Sequence, residues 1–342
     1  AYLEHLEGVA RTKDGVWQFR GGDEYYDYLL HYYTTTDLAA EEIHELGKKE
    51  VARIHEEMRT IFDDLGYPQD ESLPELFDRV ALDGGSIEAG QILETYNSII
   101  DEAGLNLDAA FDLRPKADVI VVNSSIKGMY VSASLDGTRP GAFHAGPGDG
   151  PEQYYAMPTL AYHEAVPGHH FQIALAQESD LPTFRNVVGF TGYDEGWALY
   201  AERLASELGW YEDDAYGNLG RLQAEAFRAA RLVVDTGIHA KRWDFDRAME
   251  FFVENTGYEL GDAVNPEIEI ARYIVWPGQS TSYKVGMLKI LELRQRAMDQ
   301  LGDQFDLKEF HNVVLGNGSM PLDVLERVVD DYIEASLRGV RS

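Results

Sequence analysis

Residues 161–172 read AYHEAVPGHHFQ, and they cannot form one unbroken helix. Pro167 has no amide hydrogen, and its ring clashes with the carbonyl of His163 four residues earlier. Gly168 follows, free of a side chain where the backbone must bend. The break falls among residues whose spacing matters. In the pattern H-E-x-x-H, two histidines four apart share a helix face and can share a metal ion, with the glutamate beside them as a base. Here His163 and Glu164 are in place, but Pro167 holds the fourth position and the next histidines are His169 and His170. On a straight helix His169 would sit about 120° off the face of His163, and His170 would return to it roughly 10 Å further along. If two residues loop out, HEA(VP)GH superposes on HEAGH and His169 meets His163. A nearly straight helix would bring His170 instead. The bulge is the preferred reading, with His170 then supporting the site or facing substrate.

The chain contains no cysteine, so a transition-metal site must draw on His, Asp or Glu. A third ligand is offered downstream, where residues 193–202 read YDEGWALYAE. The segment resembles NEGFAxYxE, whose glutamate is the third metal ligand in the gluzincin group of zinc peptidases. Two histidines, one glutamate and an open position for water make a catalytic rather than a closed zinc site. The expectation is one zinc ion per chain, held by His163, His169 and Glu195. Asp194 would orient a ligand imidazole or cap the helix that begins near Glu195.

The 342 residues carry 29 Lys+Arg against 60 Asp+Glu, a formal net charge of −31. A surface of that sign repels phosphate backbones and anionic lipid, so nucleic acid and anionic membranes are excluded as partners. The acid is spread along the chain and only 9 of the basic residues are lysine, a pattern that suits a solvated halophilic surface. Hydrophobic residues at 44% exclude a disordered chain, and no apolar run approaches the eighteen residues of a membrane span. The chain starts at Ala1 and has no signal-peptide pattern, which points to the cytoplasm. A start other than Met also leaves room for upstream sequence and for export. The oligomeric state is not legible.

Apolar spacing predicts a mainly α fold in one continuous domain. Helices are expected within 24–65, with Asp37 as N-cap before Glu41 and Glu42, and over 72–80, 86–104, 196–208, 214–234, 244–255, 283–301 and 322–338. ADVIVVNSS (117–125) is β-branched and continuous, and MYVSASLDGTRPGAFHAG (129–146) has strand-like pieces around an Asp-Gly turn. The chain therefore divides into a helical part at 1–112, a small antiparallel sheet at 117–146, metal-site helices at 157–210 and a helical part at 214–342. RPGAFHAG is either an edge strand that pairs with extended peptide, its Gly141 and Gly146 admitting substrate backbone, or a plain hairpin.

HEAVPGHHFQ, YDEGWALYAE, DGTRPGAFHAG, VDTGIHAKRW and WPGQSTSYKVG, in this order, resemble the domain-of-unknown-function 885 family of gluzincin-like metallopeptidases. The resemblance runs from about residue 24 to the end. It implies a helical fold with a zinc site in a cleft, and family members longer than this chain at the N-terminus.

Zinc-dependent hydrolysis needs a base and a donor for the developing oxyanion. Glu164 is the expected base. Tyr283, after a Pro-Gly break, and His239, four residues from Asp235 and so biased toward its charged form, are the donor candidates. Arg272, with Tyr273 beside it, would hold a peptide carboxylate or form a structural ion pair. The expected function is a zinc metallopeptidase for short peptides. The rivals are a zinc amide or ester hydrolase for a non-peptide substrate, and a non-catalytic metal-binding module.

Overall fold

The computed structural model describes residues 13–146 and 150–339. The helices are α1 (Gly22–Thr34), α2 (Ala40–Asp64), α3 (Leu73–Asp83), α4 (Ile92–Leu105), α5 (Met157–Glu164), α6 (His169–Glu178), α7 (Thr191–Glu207), α8 (Ala215–His239), α9 (Phe245–Thr256), α10 (Pro266–Val275), α11 (Ser282–Leu301), α12 (Leu307–Gly316) and α13 (Leu322–Leu337). Five short strands interrupt them: β1 (Ser86–Ile87), β2 (Val119–Asn123), β3 (Lys127–Val131), β4 (Gly141–Gly146) and β5 (Glu152–Gln153). The fold is mainly α, with a small sheet beside the His-Glu helix. No described helix is long and apolar enough to cross a membrane.

Helix α2 shows how the apolar spacing becomes packing. Ile43, Gly47, Val51, Ile54, Met58 and Phe62 recur every three or four residues and are buried along one stripe. Asp37 is not its cap. The helix starts at Ala40, and Glu42 Oε2 reaches back to accept from the Ala39 amide at 2.9 Å. With that amide satisfied from inside the first turn, Asp37 is left exposed, 3.5 Å from His31.

Helix α8 is buried along almost its whole length and borders each of the apolar clusters. The largest cluster gathers around α7, with Trp197, Tyr193 and Tyr200 packed against Phe111, Phe171 and Phe310. Helices α7 and α11 cross at glycines. A Cβ on Gly286 would lie 1.8 Å from the Gly192 carbonyl oxygen, and one on Gly196 would lie 2.5 Å from the Gly286 carbonyl carbon. Only hydrogen fits there. The contact sets α11 directly against the turn of α7 that carries Glu195.

The three-stranded sheet has the order β2-β4-β3. The β3/β4 pair is antiparallel, as expected, whereas β2 runs parallel to β4. Phe143 of β4 is fully buried against Tyr96 at 4.9 Å between ring centroids, which draws β4 into the middle. That corrects the edge-strand expectation for RPGAFHAG. Both sides of β4 are already paired, so it has no free ladder to offer a peptide. Gly141 and Gly146 make room for the chain itself: a Cβ on Gly141 would meet the Tyr130 hydroxyl at 2.2 Å, and one on Gly146 the Lys127 side chain at 3.2 Å. The β1/β5 pair forms a separate two-stranded antiparallel ribbon.

Candidate metal centre

Helix α5 ends at Glu164 and α6 begins at His169, so the helix does break where Pro167 requires. Between them the Val166–Pro167 peptide is cis. At Gly168 the chain folds back so tightly that a Cβ would fall 1.9 Å from the His163 carbonyl oxygen. Trp197 of α7 clamps the detour by donating from Nε1 to the Pro167 carbonyl at 2.9 Å. The bend brings His169, not His170, round to His163. Their rings meet edge to face, with centroids 4.8 Å apart.

His163, His169 and Glu195 each aim one ligating atom at a common point, with all three atoms within 4.8 Å of one another. Glu195 Oε2 lies 3.5 Å from His163 Nε2 and 3.4 Å from His169 Nε2. Ligands about 2.0–2.1 Å from a tetrahedral zinc ion would be separated by roughly 3.3 Å, close to both distances. Two further observations fit a cation. Glu195 Oε2 is buried and has no hydrogen-bond partner, an orphan that native interiors seldom tolerate. His163 places Nδ1 2.7 Å from Glu202 Oε1. A carboxylate only accepts, so Nδ1 carries a proton and Nε2 is the ring nitrogen that faces Glu195.

Glu202 is a candidate site residue to which spacing alone gives no role. It stands seven residues after Glu195, two turns along the same helix face, and closes the YDEGWALYAE segment. Its second oxygen accepts from the Thr159 hydroxyl, and Arg228 lies 3.9 Å away. Burial alone would raise the Glu202 carboxyl, but Arg228 and His163 hold it below the usual range. His163 is pulled the opposite way. Burial disfavours its charged form, yet Glu195 and Glu202 on its two ring nitrogens raise it to about 9. Glu195 is held well below the usual carboxylate range, because His169 and His163 outweigh the effect of burial. Glu195 and Glu202 thus set two carboxylates against the one His163 ring.

Glu164 is buried beside His163. Tyr283 enters from α11, one turn before the Gly286 crossing. Burial and the nearby Glu195 raise its phenol, so it stays protonated as a donor. The Arg231 guanidinium stacks on the Tyr283 ring at 4.6 Å.

The other expected residues stand elsewhere. His170 does not join His163: Tyr130 and the Ala117 carbonyl take its ring nitrogens at 3.0 Å each, so it ties α6 to the sheet region. His239 is fully buried, with Nδ1 accepting from the Val16 amide at 3.0 Å and Nε2 donating to the Tyr273 carbonyl at 2.9 Å. Asp235 does not pair with it. That carboxylate accepts from Tyr26, Ser280 and the Gly278 amide instead, so the i,i+4 spacing was overridden by tertiary partners. Asp194 lies inside the first turn of α7, whose cap position is Phe190, and is therefore not the N-cap. Arg272 binds Glu269 at 2.9 Å and Gln279 at 3.0 Å, the structural ion pair of its two expected roles. The Tyr273 hydroxyl donates to Glu269 and accepts from Arg231.

Comparison with known proteins bears on the whole chain. No curated protein matches it. A solved structure described as "the putative lipoprotein from Colwellia psychrerythraea" is 40% identical over 97% of this chain, with a TM-score of 0.90. A second, "a putative lipoprotein of unknown function from Shewanella oneidensis", is 20% identical over 96% of the chain, with a TM-score of 0.83, and shows the shared fold alone. The chain spans 58% and 62% of the length of these two proteins. The family model described as bacterial protein of unknown function (DUF885) matches residues 1–329. The chain belongs to the DUF885 family.

Proposed function

We propose that this chain is a zinc-dependent hydrolase, gluzincin-like in its ligand set, that cleaves short peptides. The observation that carries the reading is the convergence of His163, His169 and Glu195 around an orphaned buried carboxylate oxygen. His163, His169 and Glu195 would hold the ion. Bound there, zinc would supply a Lewis acid that makes a water more acidic and a carbonyl more electrophilic. Glu164, buried beside the first ligand, takes the proton from the attacking water and returns it to the leaving nitrogen. Tyr283 donates its O–H to the oxygen that gains charge. Glu202 keeps the proton of His163 on Nδ1, so Nε2 stays available to the metal. The lipoprotein description of the 40%-identical solved relative favours an exported location over the cytoplasm.

The test measures zinc and turnover in the same samples. The purified chain is expected to carry about one zinc, and the His163→Ala, Glu195→Ala double variant essentially none. Glu164→Gln is expected to keep the zinc and lose at least about a hundredfold in turnover on a cleaved peptide. Unchanged zinc in the double variant would sink the ligand assignment. Full activity in zinc-loaded Glu164→Gln would remove Glu164 as base and leave a structural carboxylate.

A further inference from the structure

A cavity of about 150 Å³ lies against α6 and α7, the helices that carry His169 and Glu195. Gln172, one turn after His169, lines it, and so does Asp194, the residue before Glu195. Asn186 and Arg185 also line it, and Val187 and Val188 add apolar surface. Three lining atoms are buried without a hydrogen-bond partner: Gln172 Oε1, Asn186 Oδ1 and Arg185 Nε. Gln172 is 2% exposed, so this is an interior amide and not a surface one. Buried polar atoms are nearly always satisfied, and each orphan costs the desolvation of its group. Two amides and a carboxylate around one small space make a site built for a ligand with hydrogens to give.

We infer that this cavity is the subsite for a primary ammonium group of the substrate. A primary ammonium has three N–H donors and no acceptor, and Asp194, Gln172 and Asn186 present three acceptor groups. An amide can turn to offer nitrogen instead of oxygen, whereas the ionised Asp194 carboxylate, which also takes the Ser319 hydroxyl, only accepts. Arg185 is the competing group. Its Nη2 is tied to the Asn317 carbonyl, which leaves Nε as its unpartnered donor in the lining. The inference rests on the metal reading above and deepens it. The substrates are peptides, or amides of amino acids, with a free amino group close to the bond cleaved, and hydrolysis releases the N-terminal residue.

Hydroxamates separate the two claims, since a hydroxamate engages zinc whatever else it carries. Binding of alanine hydroxamate, N-acetylalanine hydroxamate and succinic monohydroxamate to the zinc-loaded full chain is measured by calorimetry. The free amine is expected to bind at least about tenfold tighter than its acetylated form, the effect of one charge-assisted contact. Asn186→Leu should shrink that ratio several-fold and leave the acetylated probe unchanged. Should that variant not fold, Asn186→Asp adds an acceptor charge and should widen the ratio. Equal binding of the two alanine probes overturns the ammonium subsite while leaving the metal centre intact. Preference for the succinic probe overturns it in favour of an anion held by Arg185. Failure of all three to bind a zinc-loaded sample overturns the metal reading, and the subsite with it.

Discussion

His163 has a carboxylate on each ring nitrogen, and the two have different jobs. Glu202 fixes a proton at Nδ1, while Glu195 shares the space in front of Nε2. The histidine is raised to about 9 in the folded chain, above the ordinary value near 6.5. A group raised on folding stabilises the native state below its unfolded pKa and loses that contribution as pH rises through the folded one. Zinc-stripped protein should therefore melt at progressively lower temperature between about pH 6.5 and 9. Zinc-loaded protein should show less of this loss, because the metal replaces the proton at Nε2. A stripped sample whose melting temperature is flat over this window would mean that His163 carries no extra proton. Glu202→Gln keeps an acceptor near Nδ1 but removes the charge. Zinc affinity is expected to fall about ten- to a hundredfold in that variant, measured by competition with a chelator. Unchanged affinity would leave Glu202 a packing residue.

Among the elements, the crossing of α7 and α11 matters most to the site. It places Tyr283 one turn from Gly286 on one helix, opposite Glu195, next to Gly196, on the other. Gly286→Ala would drive a methyl group into the Gly192 carbonyl, where neither backbone can yield alone. Overpacking of this kind costs about 1–3 kcal/mol, and denaturant unfolding should show a loss at the upper end of that range. Turnover should fall further than the folded fraction accounts for, because Tyr283 moves with the helix. A neutral Gly286→Ala would mean that the two helices separate freely. Elements with long apolar periodicity, such as α2, α8 and α11, were legible from spacing. Helices α10 and α12, ten residues each, were not assigned, since so few turns give little periodicity to recognise. The strand segments were legible as β, but the order β2-β4-β3 was not. Pairing is decided by which strand buries its aromatic residue, and a list of β-branched residues does not contain that choice.

Over the whole molecule, charge divides between surface and interior. A small set of ions is buried between α2, α8 and α11, where Lys284 is fully enclosed and binds Glu225 at 2.6 Å and Glu50 at 3.1 Å. Arg53 and Arg221 add to the same cluster, and together these cations hold Glu225 well below the usual range despite its burial. The remaining acid is mostly solvated, and the net charge of −31 makes it repel itself. Raising salt from roughly 0.01 M to 1 M shortens the Debye length from about 30 Å to about 3 Å. The melting temperature should rise over that range, as differential scanning calorimetry would record. A constant melting temperature would count against a halophilic surface, without touching the metal centre.

The sequence by itself determined the helical class, the break at Pro167 and the pool of candidate ligands, with His169 and His170 both open. Those follow from local covalent facts: a missing amide hydrogen, residue spacing, and the donor atoms each side chain carries. Tertiary structure alone decided which histidine turns inward, because that depends on the path of Ala165–Gly168 and on Trp197 clamping it from another helix. It also removed His239 from the donor candidates, whose two ring nitrogens are taken by backbone groups far away in sequence. Glu202 gained its role the same way. Its spacing from Glu195 was visible, but its partner His163 lies 39 residues earlier, and only packing brings the two within hydrogen-bonding distance.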